Sequence, residues 1–288
     1  MSYLNDRVLA HLKSVADLPD LTGTRYELIR EAGRGGMGAV YVVFDRELQR
    51  EAALKVVDRG SGIEAQVTAS LEHPGIVPVH DGGILPDGRN FYVMRYVDGA
   101  SLDPQNTAEI DRLRIFQKIC DTVAYAHNQQ VIHRDLKPEN IIIGNFGEVF
   151  IVDWGVALSP KSQQEPRGMV VGTPMFMAPE QGAGQQATPA ADIYSLGAIL
   201  KWMFPTNLAA PLQSIASKAM ATNPSDRYAT VADLNRDISR YVVREPVTAH
   251  RETALESTIR WAGRNRTLLL LMAAYLIVKF AVYFLRFL

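Results

Sequence analysis

The stretch Val131-Ile132-His133-Arg134-Asp135-Leu136-Lys137-Pro138-Glu139-Asn140, closed by the apolar run Ile141-Ile142-Ile143, constrains this chain more than any other. It reads as a loop that sets a carboxylate at Asp135, an ammonium at Lys137 and an amide at Asn140 beside one another. That set suits phosphoryl transfer. Asp135 can accept or orient a hydroxyl proton, Lys137 can neutralise the moving phosphoryl group, and Asn140 can offer an oxygen to Mg²⁺. A charged surface turn between a helix and a strand uses the same residue types, so the reading depends on the rest of the chain.

At 288 residues, with 47% hydrophobic and 21% charged residues, the composition is that of a globular chain with a large core. One two-lobed domain with appendages fits the length. The formal net charge of -1 gives no electrostatic reason to expect a nucleic-acid partner. Cys120 is the lone cysteine and cannot form an intrachain disulfide, which fits a reducing compartment. Its neighbours Ile119 and Val123 place it among core residues, against the sharper reading of a reactive thiol. No cleaved signal peptide is expected, because no apolar core follows a basic start at the N-terminus.

Leu4, Val8, Leu12 and Val15 recur at helical spacing, so residues 1–23 are expected to hold a short amphipathic helix outside the main unit. Gly33-Arg34-Gly35-Gly36-Met37-Gly38 follows the segment Tyr26-Glu27-Leu28-Ile29-Arg30-Glu31-Ala32. A dinucleotide site also uses this glycine spacing but continues into a helix, whereas Val40 to Phe44 reads as a second strand. The loop is therefore the tip of a hairpin whose backbone N–H groups can approach phosphates. Lys55 then sits in the apolar strand Glu51 to Val57, and is either a solvent-facing strand residue or a phosphate-holding lysine. Ile76 to Val79 and Asn90 to Met94 read as further strands, and Ile110 to Gln129 as a long helix delivering the chain to the Asp135 loop. Beyond the strand Val149 to Val152, Asp153-Trp154-Gly155 is placed to return a carboxylate to the same site.

Taken in this order, these motifs resemble the bacterial eukaryotic-like (Hanks-type) serine/threonine protein kinases over residues 24–243. The resemblance implies an α+β, bilobal protein-kinase fold with a small β-rich N-lobe and a larger helical C-lobe. It implies ATP and Mg²⁺ (or Mn²⁺) as cofactors and protein Ser/Thr hydroxyls as acceptors. Carried over residue by residue, the catalytic set is Asp135, Lys137, Lys55 and Glu64, with Glu72 as the alternative partner of Lys55. The nucleotide contacts are Gly33, Arg34, Gly35, Gly36, Met37, Gly38, Val40, Ala53, Lys55, Met94, Tyr96, Val97 and Asp98. Asn140 and Asp153 are the metal ligands. His133, Arg134, Thr173, Glu180, Asp192 and Arg227 support the site.

Five departures from the family pattern matter. Trp154 stands for the usual Phe, and Arg95 for the usual Glu of the interlobe segment. Only eight residues lie between Lys55 and Glu64, so Glu64 is expected in the first turn of its helix, in a pair that is strained or needs an outside partner. This keeps alternative roles open, as a membrane-anchored pseudokinase or nucleotide-binding scaffold. The segment from Leu200 to Pro211 is short, and a helix used by relatives for substrate docking is expected to be missing. Finally, Glu165 to Val171 lacks the threonines that relatives phosphorylate ahead of Gly172, which leaves Ser159 and Ser162 and predicts that Arg134 has no phosphate partner there.

After Tyr241 the composition changes. Residues 244–266 read as a basic juxtamembrane linker and 267–286 as a transmembrane helix, since the eighteen residues from Leu268 to Leu285 would span about 27 Å as a helix rising 1.5 Å per residue. Lys279 lies close enough to the far end for its stem to snorkel. Arg260, Arg264 and Arg266 outnumber Arg286, which puts the kinase unit in the cytoplasm at the inner membrane, held by a single pass. An interfacial helix lying on the membrane is the alternative, and a homodimer through Ala273-Ala274 is left open. Almost no extracytoplasmic sensor is expected.

Overall fold

The structure, a computed structural model, describes residues 18–35, 38–57, 62–106, 109–154, 157, 173–206 and 208–285. Expectations on residues 1–17, Gly36, Met37, Gly155, Ser159, Ser162, Gly172 and Arg286 lie outside them.

Alternating small-lobe segments fold into five antiparallel strands, β1 (Tyr26–Gly35), β2 (Gly38–Asp45), β3 (Arg50–Val57), β4 (Val79–Ile84) and β5 (Asn90–Arg95), in the order β1-β2-β3-β5-β4. Period-two patterning decides the faces. Tyr41, Val43, Ala52, Leu54, Val56, Phe91 and Val93 form one buried cluster on the outer face. The register sets Lys55 opposite Val40 and Tyr92, and Ala53 opposite Val42 and Met94, on the other face. At the hairpin tip Gly35 pairs with Gly38. Gly38 has φ +128°, and a Cβ there would run into the Val56 carbonyl, so the position requires glycine. The expected strand at Ile76 to Val79 is shifted. Ile76 and Val77 are buried beside the large lobe, Ile76 bridges to Ile151, and β4 begins only at Val79.

The helix α1 (Gly62–Ala69) follows β3, and its Val67, with Leu71 just beyond it, packs into the large-lobe core rather than the small one. Glu72 N donates to the Tyr125 hydroxyl at 2.9 Å, and the His73 and Tyr125 rings stack at 5.0 Å. These contacts tie the end of α1 to α2 (Glu109–Asn128). Leu113, Phe116, Ile119, Cys120, Val123 and Ala126 form the buried stripe of α2. Full burial contributes roughly 1.5–3 kcal/mol for each large apolar side chain of this stripe. Cys120 is buried completely and its thiol is pushed up by that burial, so it is a core residue.

The second sheet, β6 (Gly99–Ser101), β7 (Ile141–Gly144) and β8 (Val149–Ile151), carries the loop segments of the large lobe. Beneath it lie α3 (Pro179–Gly182), α4 (Pro189–Met203), α5 (Ala210–Ala219) and α6 (Val231–Val242). Helix α4 is buried almost all round. At Gly197 an added Cβ would stand 2.7 Å from that of Ala219, which is why α4 and α5 can approach so closely. Only a short segment joins α4 to α5, and among its described residues it contains no helix.

The chain does not leave the lobe at residue 243. Val247 is buried in the large core. The buried Asp237 carboxylate accepts from Thr248 N at 2.8 Å, Thr248 Oγ1 at 2.6 Å, Ala249 N at 3.1 Å and the Tyr228 hydroxyl at 2.9 Å. The expected linker is thus folded in part, and then becomes α7 (Ala254–Arg264), capped by Thr253 and Glu256. Arg260 donates to both Glu252 oxygens at 2.7 Å. The last helix, α8 (Arg266–Leu285), is long and apolar enough to cross a membrane over Arg266–Tyr283, and none of that window is buried against the rest of the protein.

Candidate active site

Between the lobes, Lys55 Nζ lies 2.5 Å from Glu64 Oε1 and 2.7 Å from Asp153 Oδ1. Glu64 does fall in the first turn of α1, yet the pair is formed within the chain and without an outside partner. The alternative partner, Glu72, is exposed at the other end of the helix. Burial of Lys55 would favour its neutral form, but the charges of Glu64 and Asp153 outweigh it and raise its pKa.

Asp135 is buried on the loop after α2. Lys137 Nζ lies 2.7 Å from its Oδ2, and Thr173 Oγ1 donates to its Oδ1 at 3.2 Å. Asn140 Nδ2 donates to the Asp135 carbonyl at 2.8 Å, which leaves the Asn140 amide oxygen for a cation. Asp153 has φ +66°, and with Oδ1 on Lys55 its other oxygen is left for the same cation. Two side-chain oxygens match Mg²⁺, which takes one or two protein ligands and completes its shell with water and phosphate. Asn140 and Asp153 therefore fit such an ion.

The loop is held from below. Asp192, fully buried at the start of α4, accepts from His133 N and Arg134 N at 2.8 Å each and lies 2.7 Å from His127 Nε2. Burial pushes its pKa up, but the His127 contact and the backbone donors reverse this and leave it below the usual aspartate value. Arg134 has φ +72°, a costly conformation for a side-chain residue, and Gln181 Nε2 donates to its carbonyl at 2.9 Å. Glu180 and Arg227 meet through two bonds of 2.6 and 2.7 Å. Trp154 fills the space behind Asp153. It is buried, its Nε1 donates to Ile151 O at 3.2 Å, and its ring lies 4.6 Å from that of His133.

His133 is fully buried, accepts from Asp135 N at Nδ1 and donates from Nε2 to Val152 O, which assigns the neutral Nε2–H tautomer. Burial holds its pKa below the usual 6.5. The unfolded chain then binds the extra proton first, so stability is lost as pH falls from 6.5 through the folded value. In thermal melts the gap between wild type and His133→Phe is expected to narrow from pH 7 to pH 5. Parallel curves would remove this assignment.

The structure brings Lys55, Glu64, Asp135, Lys137, Asn140, Asp153 and Thr173 together. Of the nucleotide residues, Val40, Ala53 and Met94 lie on the lysine-bearing face of the sheet. Arg34 points back along the hairpin to Glu31 and the Tyr41 hydroxyl. Tyr96 accepts from Arg30 at 2.8 Å, and Val97 is half-buried. Asp98 is engaged by Asn145, which donates from Nδ2 at 2.8 Å. Arg95 reaches the same turn, lying 3.5 Å from Glu148 and over the Phe150 ring. Asn145, Glu148, His127, Gln181 and Tyr92 also hold the site, and residue order does not point to them. None belongs to a motif, and only the pattern of buried polar residues in helix and strand could have singled out Tyr92 or His127.

A five-stranded lobe that holds a buried lysine over a helical lobe, with the Asp135 loop between them, is a bilobal protein-kinase fold. Residues 26–248 match the family described as protein kinase domain, and the chain belongs to that family. The serine/threonine-protein kinase PknD of Chlamydia trachomatis is 35% identical over 300 aligned positions, covering 77% of this chain and 32% of that protein. PknD of Chlamydia felis is 35% identical over 295, covering 77% and 31%. The crystal structure of the Mycobacterium tuberculosis PknI kinase domain matches with a TM-score of 0.56 at 25% identity, covering 75% of this chain and 95% of that one. The chain spans about a third of the length of the curated relatives it matches. Protein kinases as a family use ATP and Mg²⁺.

Proposed function

We propose that this chain is a serine/threonine protein kinase that moves the γ-phosphoryl group of ATP to protein Ser/Thr hydroxyls. The observation that carries the reading is the Asp135 carboxylate, held at one oxygen by Lys137 and at the other by Thr173, across the cleft from a formed Lys55–Glu64 pair. In this reading Asp135 orients the acceptor hydroxyl and takes its proton as the oxygen bonds to the γ-phosphorus. The bond from that phosphorus to the β-phosphate oxygen breaks, and ADP leaves. Lys137 offsets charge on the moving group and Lys55 holds the nucleotide phosphates. Mg²⁺ held by Asn140 and Asp153 would neutralise phosphate charge when bound. The glycine hairpin covers the phosphates, and the segment from Met94 to Asp98 meets the base and ribose. A scaffold that binds nucleotide without transfer is disfavoured by the Lys55–Glu64 pair, whose short connection was its main support.

We further infer that α8 anchors the kinase in a bilayer, with the catalytic unit on the side of Arg260, Arg264 and Arg266. Its unburied apolar surface supports this. Exposed Trp261 suits the interface at the membrane surface. The test uses the full chain reconstituted in sealed vesicles with γ-labelled ATP and Mg²⁺. Label is expected on serine or threonine of a basic acceptor protein, and a tag at the C-terminus is expected to resist protease added on the kinase side. Label on tyrosine, or none, would overturn the kinase reading. A digested tag would overturn the span.

A further inference from the structure

Tyr92 lies on β5 opposite Lys55, on the face of the sheet that meets the large lobe. It is 3% exposed, and its hydroxyl donates to Glu64 Oε1 at 2.7 Å. This is the oxygen that Lys55 Nζ reaches at 2.5 Å. Burial and the Glu64 charge both raise the tyrosine pKa, so the hydroxyl keeps its proton and remains a donor.

The contact answers a difficulty posed by the chain itself. Eight residues between Lys55 and Glu64 leave Glu64 in the first turn of α1, where backbone N–H groups lack intrahelical partners and helices fray. The packing that fixes the helix lies further on, at Val67 and Leu71. Lys55 is also shared, since Asp153 competes for it at 2.7 Å. A glutamate free to change rotamer would leave the lysine to Asp153 alone and tie up the carboxylate needed for the cation.

We propose that Tyr92 is a positioning residue that locks the Glu64 carboxylate against Lys55, and that this chain uses its hydroxyl to offset the short connection into α1. The inference rests on the kinase reading above and names a residue that acts through Glu64, without touching substrate or nucleotide.

A double-mutant cycle tests it on the full chain in detergent, with Tyr92→Phe, Glu64→Ala and the double variant. Phenylalanine keeps the ring and its packing, and thermal melts check that each protein is folded. Tyr92→Phe is expected to lower kcat/KM for ATP about tenfold, the scale of one hydrogen bond to a charged group. With Glu64→Ala already present, the same change is expected to cost less than about twofold, because the acceptor is gone. A Tyr92→Phe enzyme within twofold of wild type would overturn the proposal, as would an equal loss in both backgrounds, which would make Tyr92 a packing residue. Mg·ATP affinity by calorimetry on the same four proteins reads the coupling without turnover. A wild type that binds Mg·ATP but transfers nothing defeats the kinase reading, while the affinity cycle still decides for or against Tyr92.

Discussion

Asp135→Asn is expected to lower kcat for phosphoryl transfer by about 10²–10⁴-fold, the range that a positioned general base contributes. Asparagine keeps the shape and can still accept from Thr173, which lies 3.2 Å from Oδ1. It cannot take the hydroxyl proton, and it removes the charge that Lys137 meets at 2.7 Å. The loop should stay folded, because Asn140 bonds the Asp135 backbone carbonyl and Asp192 holds the backbone at His133 and Arg134. Mg·ATP affinity should therefore stay close to wild type, since the phosphate-side groups Lys55, Glu64 and Asp153 are untouched. Steady-state kinetics with γ-labelled ATP check this. Retention of more than about a tenth of wild-type kcat would remove Asp135 from the role of base.

Arg227→Met should give the largest loss of stability, about 3–5 kcal/mol, because it strands the Glu180 carboxylate in a buried site. The guanidinium is wholly buried and also donates to the carbonyls of Ala190 and Ala221 at 2.8 Å. At roughly 2–4 °C per kcal/mol for a domain of this size, the thermal midpoint should fall by about 6–20 °C. Burial opposes ionisation of Glu180, but the Arg227 contacts outweigh it and hold its pKa below the usual 4.5. The stabilising ionised pair is then fully present above that pH and is lost as pH falls through the folded value. The gap between variant and wild type should accordingly narrow in acid. A drop of only a degree or two at pH 7 would show that the pair contributes little.

Much of the site was legible because its parts are local. The Asp135 loop, the glycine hairpin and the strand carrying Lys55 each announce themselves within about ten residues, through turn chemistry and period-two burial. Glu180 and Arg227 are also expected to support the site, but only through likeness to a family, and it is the structure that pairs them. Glu64 stands in the first turn of α1, as its distance along the chain from Lys55 implies, yet the pair forms without an outside partner, because the bond depends on the direction in which α1 packs. The end expected at residue 243 was placed by a change in composition. Asp237 holds Thr248 and Ala249 to the lobe regardless of composition, and Val247 is buried there. Asp98 is expected at the nucleotide only through likeness to a family, and Asn145, which engages it, lies 47 residues away.

By itself the sequence determined the order of the elements and the residue types available to the cleft, because hydrophobic period and turn residues act over short ranges, while the bilobal class followed from the resemblance of its motifs to a family. Only the tertiary structure decided which buried polar groups meet. Tyr92 finds Glu64 through the β3–β5 register, His127 and the loop backbone find Asp192 through the burial of α4, and Arg95 and Asp98 find the β7–β8 turn. The physical reason is that a hydrogen bond acts over about 3 Å. Its partner is therefore chosen by how sheet faces and helices come to rest, which residue order does not specify.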